Sequence, residues 1–111
     1  MPHYLSIENE EISSELTRRR LRIILDKKEL QRLERLLAHQ ERWKAFFIEE
    51  IEKCQREGNE ESERFFNDFL RKERSKIRST RNEINEIQHV IQQREIRLQE
   101  YEYNQDNNEN E

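Results

Sequence analysis

A chain of 111 residues with 41% charged and 32% apolar side chains, one glycine and one proline lacks the material for a thick globular core. Its formal net charge of −4 excludes a global attraction to nucleic acid or to an anionic membrane, and the lone Cys54 excludes an internal disulfide. Apolar runs such as Ile23-Ile24-Leu25 are far too short to span a bilayer, and the opening Met1-Pro2-His3-Tyr4 has no basic leader segment. No membrane contact and a cytoplasmic location are expected.

In chain order, residues 1–5 read as a lead-in and Ser6 as an N-cap, since Glu8, Glu10 and Glu11 behind it suit the positive end of a helix dipole. The first helix is expected over residues 6–57, where nothing breaks it, although Ser13, Ser14 and Thr17 weaken its opening turns. Gly58-Asn59 is a stop followed by a new cap, with Glu60 and Glu61 next, so the turn is placed at 58–59. The second helix is expected over 60–103. Residues 104–111, acidic and rich in Asn, are expected to be a disordered tail.

Both helices carry a heptad abcdefg. In the first, Leu16, Ile23, Leu30, Leu37 and Ile51 lie at a, with Ile12, Leu33, Phe47 and Cys54 at d. In the second, Leu70, Ile77, Ile84, Ile91 and Leu98 lie at a, with Phe66, Ile87 and Tyr101 at d. The fold class is therefore all-α, a long antiparallel two-helix coiled-coil hairpin. A mirror about Gly58-Asn59 sets Phe47 against Leu70, Ile51 against Phe66, Leu33 against Ile84, Leu30 against Ile87, and Lys44 against Glu73. The same mirror matches the flanking e positions as Glu34–Arg81, Glu41–Arg74 and Arg20–Glu95, all of opposite charge. Leu21, Ile24, Leu25, Leu36, Trp43, Phe46, Ile48, Phe65, Phe69, Val90 and Ile96 fall outside the seam, more apolar surface than two helices can cover. Self-association into a four-helix bundle, at least a homodimer, is the expectation.

Candidate chemistry is sparse. Arg18, Arg19 and Arg22 in the cluster 18–22, and Arg71, Lys72 and Arg78 in the stripe 71–81, could contact an anion or nucleic acid. A solvated, ion-paired face is the competing reading and is preferred. Glu86-x-x-His89 has the spacing of half a di-iron carboxylate site, but His39 is preceded at that spacing by Leu36, so no metal site is expected. Cys54 reads as a small buried residue near the turn. Leu21-Arg22-Ile23-Ile24-Leu25-Asp26, with the Leu-rich stretch through Arg42, resembles the opening helix of all-helical chorismate mutases; the pattern departs at Lys28, where that family has an apolar residue, and no catalytic role is carried across.

No catalytic residue, cofactor site or nucleophile–base pair is identified, so an enzyme is not expected. The expected function is a non-enzymatic protein–protein interaction module, a small coiled-coil adaptor, scaffold or regulator. Leu36, Trp43, Phe46, Phe69 and Val90 would form its partner or self-association interface. The alternative is a small nucleic-acid-associated regulator using the basic clusters 18–22 and 71–81.

Overall fold

The structure, a computed structural model, describes residues 2–110, with side chains described from residue 14 to residue 107. It is an all-helical hairpin of two long helices, α1 (Pro2–Glu57) and α2 (Glu60–Asn110). α1 begins at Pro2, four residues before the position read as its cap; proline suits a first helical turn because its missing N–H has no partner to lose there. The capping role read for Ser6 and the d position of Ile12 concern side chains outside the described residues. α2 continues to Asn110, through most of the expected tail, because no proline or glycine follows Gly58 to stop it. Met1 and Glu111, the ends of the lead-in and the tail, lie outside the described residues.

The reversal is built from two residues. The Gly58 N–H donates to the Gln55 carbonyl at 3.3 Å and the Asn59 N–H to the Cys54 carbonyl at 2.9 Å, the paired bonds of a Schellman stop. Gly58 has φ +70°, a conformation that costs a residue with a Cβ. Asn59 then caps α2: its Oδ1 accepts from the Ser62 N–H at 3.2 Å, and its carbonyl accepts from Glu63 N–H at 3.1 Å. Glu60, Glu61 and Glu63 occupy the first turn of α2, where the helix dipole favours them.

The chain divides into two compact units, one of residues 31–86 and one of residues 1–30 with 87–111. In the first, Leu33, Phe47, Ile51, Cys54, Leu70, Ile77 and Ile84 are buried, following the a and d positions. Phe47, Ile51 and Leu70 form one cluster with Phe66 packed against it, the neighbours that the mirror about the turn requires. Gln40, Glu73 and Thr80 are buried polar members of the same seam. In the second unit Ile23 and Ile91 are buried, and Leu16, Leu30, Ile87, Leu98 and Tyr101 are half-buried. Asp26 and Arg94 form an ion pair within that seam.

The flanking ion pairs differ from the expected ones by one heptad. Glu41 meets Arg81, not Arg74; Arg20 meets Glu102 at 3.1 Å, not Glu95; and Glu95 takes Lys27 at 2.9 Å. Side chains on a helix lean toward its N-terminus. In an antiparallel pair, two residues one heptad beyond the mirror partner lean toward each other, whereas those on the near side lean apart. Lys44 and Glu73 do not pair either. Lys44 reaches Glu41 on one flank at 3.9 Å, because a long lysine side chain carries its charge to the wet edge of a seam, whereas Glu73 stays buried and is reached by the exposed Lys76 from the other flank at 3.8 Å.

Candidate functional site

The two flanks of the 31–86 unit have opposite character. Glu41 and Arg81, both at e, form an ion pair on one flank. The other flank carries Leu36 and Trp43 at g on α1 and Phe69 at g on α2, so a third apolar stripe runs beside the a and d seam. Two helices can bury only a and d; a helix with apolar g positions as well has the pattern of a bundle member.

An open groove of about 500 Å³ follows this stripe, lined by Leu36, Trp43, Phe47, Phe65 and Phe69, with Glu73 and Lys76 among its polar members. Its walls are held by ring contacts. Phe47 stacks on Trp43 at 5.7 Å and on Phe69 at 5.5 Å, and Phe65 meets Phe69 edge-on at 4.8 Å. Phe47 is buried, so the exposed rings rest on a fixed seam residue. The Trp43 Nε1–H donates to Nε2 of His39, one turn back, at 3.0 Å, which satisfies the indole and leaves its apolar face open. Trp43 remains 44% exposed, Phe69 40% and Phe65 58%.

Of the five interface residues expected from sequence, Leu36, Trp43 and Phe69 line this groove. Phe46 lies beside it, edge-on to Trp43 at 5.7 Å. Val90, also exposed, belongs to the unit of residues 1–30 and 87–111. Phe65 completes the groove and was not among the five; its four-residue spacing from Phe69, which puts both on one helix face, was the available signal.

The basic residues fall into two sets. Arg18, Arg19 and Arg22 line a groove of about 230 Å³ with Glu15, Arg94 and Arg97. Arg71 and Arg78 line a shallow groove with Asn67, Leu70, Arg74 and Ser75, and Arg71 is 3.5 Å from Asp68. Lys72 instead stands over the Phe69 ring, 5.9 Å from its centroid. Arg74, expected to be held by Glu41, has no ion-pair partner among the described residues, since Glu41 takes Arg81.

Cys54 is buried beside the turn. Among the described residues no group of three or more His, Cys, Asp or Glu side chains could hold a metal ion, and no helix is long and apolar enough to cross a membrane. Comparison of the chain with protein-family models, curated proteins and solved structures finds no match.

Proposed function

We propose that this chain is a non-enzymatic protein-interaction module that acts through the aromatic groove of residues 31–86, and that the first occupant of the groove is a second copy of the chain. The observation that carries this reading is the third apolar stripe of Leu36, Trp43 and Phe69, with Phe65 beside it, on one flank only. Aromatic side chains already ordered by neighbouring rings lose little conformational entropy when covered, which is the character of interface anchors. Glu73, buried in the seam, offsets the Lys76 charge at 3.8 Å, so the polar edge of the groove opposes a second copy less than a lone cation would. Stacked in this way, two hairpins would make a four-helix bundle.

Light scattering with Trp43 fluorescence tests it. The wild type is expected at twice the 13.9 kDa chain mass, with blue-shifted emission that moves to the red on dilution. The W43A/F69A variant is expected at the chain mass with its helicity kept, because neither side chain is in the buried seam. A wild type that stays at the chain mass at about 100 μM, some hundredfold above a micromolar dissociation constant, would remove the self-association.

A further inference from the structure

We propose that the arginine groove in the unit of residues 1–30 and 87–111 binds a compact, multiply charged phosphate compound. Arg18, Arg19 and Arg22 of α1 and Arg94 and Arg97 of α2 converge on one groove of about 230 Å³. The heptad explains the convergence. Arg22 and Arg97 both fall at g, on the same flank, so the antiparallel pairing brings like charges to one side. The e flank of the same unit is complementary, with Arg20 on Glu102 and Lys27 on Glu95. Like charges brought together on a flank destabilise a helix pair, and a bound anion reverses the sign of that contribution.

The carboxylates near the groove do not neutralise it. Glu15 serves both Arg19, at 3.1 Å, and Arg18, at 3.8 Å. Asp26 serves Arg94. Arg22 and Arg97 have no ion-pair partner among the described residues, which leaves five guanidinium groups against two carboxylates. Arg19 Nε lies within ion-pair distance of Glu15 yet out of line for a hydrogen bond, so a buried donor is left without an acceptor. Its side chain is held over the Tyr101 ring, 4.7 Å from the centroid. Planar guanidinium forks bond bidentately to phosphate and carboxylate oxygens alike, and five of them around one small space match the several charges that a short phosphate chain carries in a compact volume.

The extent of the patch selects a compact ligand over a strand. Along the same flank of α1, Glu15 precedes Arg22 by one heptad and Glu29 follows it by one; on α2, Val90 precedes Arg97 by one heptad and Asn104 follows it, so no further cation extends the patch. A nucleic-acid backbone, with a phosphate charge every ~1.7 Å of duplex axis, would leave the basic patch and meet these acidic and uncharged positions. A chain of two or three phosphates would not. The site is independent of the aromatic groove, all of whose lining residues lie in the 31–86 unit.

Titration calorimetry and thermal melting of the full chain with inorganic tripolyphosphate test the proposal, at about 20 mM salt where screening is weak. One tripolyphosphate per chain is expected, with a rise in melting temperature that sodium chloride of equal ionic strength does not reproduce. R22Q/R97Q should weaken binding at least about tenfold, since two charge-assisted donors are lost. Both side chains are exposed, so circular dichroism should report unchanged helicity. R22K/R97K, which keeps charge and loses the fork, should fall between wild type and R22Q/R97Q. R71Q/R78Q, which removes the same charge elsewhere, should bind as wild type. Equal loss in R71Q/R78Q, absence of binding, or a single-stranded oligonucleotide that binds through Arg22 and Arg97 more tightly per phosphate than tripolyphosphate would each overturn it.

Discussion

Gln40→Leu should stabilise the hairpin, although it removes a polar residue from a polar-rich chain. Gln40 is 7% exposed in the 31–86 seam, and its Oε1 has no hydrogen-bond partner among the described residues. A buried acceptor left unpaired costs ~1–3 kcal/mol, and leucine at the same d position removes that cost while filling a similar volume. Allowing for imperfect packing, the gain should be roughly 1–2 kcal/mol. With a urea slope of ~1–3 kcal/mol/M for a small domain, the unfolding midpoint should rise by about 0.3–2 M. The assay is urea unfolding followed by far-ultraviolet circular dichroism, repeated across protein concentration because association would be linked to stability. A lower midpoint at unchanged slope would show that the Gln40 amide is satisfied in the folded protein, and the reasoning would fail. Thr80→Val is the matched control: the Thr80 hydroxyl donates to the Lys76 carbonyl at 3.0 Å, a helix carbonyl with a main-chain partner of its own, so its loss should change stability by no more than about 0.5 kcal/mol.

Three further expectations follow from named contacts. A double-mutant cycle between Glu41 and Arg81 should give ~0.2–1 kcal/mol of coupling, falling with added salt, while the Glu41–Arg74 cycle should give none; the reverse would restore the mirror pairing. Gly58→Ala should cost ~1–2 kcal/mol by chemical denaturation, all of it from the positive φ, because nothing lies within 4 Å of the added Cβ. Leu33→Ala, at 2% exposure, should cost ~2–5 kcal/mol, whereas Leu25→Ala, at 56% exposure, should stay within ~0.5 kcal/mol; similar midpoints for the two would contradict the seam.

Much of the local architecture was legible in the residues. Helix formation and chain reversal are short-range events: no proline or glycine interrupts α1 after its start, and Gly58-Asn59 supplies both a left-handed stop and a cap. The a and d pattern likewise named the seam, down to Phe47, Ile51 and Leu70. The helix ends were less legible, since Pro2 and Asn110 extend α1 and α2 past weak signals that compete over single turns. Within the candidate groove, Leu36, Trp43, Phe65 and Phe69 could all be picked out as apolar residues off the seam, and the spacing of Phe65 from Phe69 put both on one helix face, but only the ring contacts showed that Phe65 completes the wall.

Periodicity along one dimension determined which residues each helix turns inward and where the chain doubles back, because both depend on neighbours a few positions away. Which charged residue meets which across the seam was decided only in three dimensions. The direction in which side chains lean moved Glu41 from Arg74 to Arg81 and Arg20 from Glu95 to Glu102. It was also the pairing of α1 with α2 that gathered Arg94 and Arg97, unremarkable in the sequence, beside Arg18 and Arg22, since residues some seventy positions apart carry no local sign of sharing a groove.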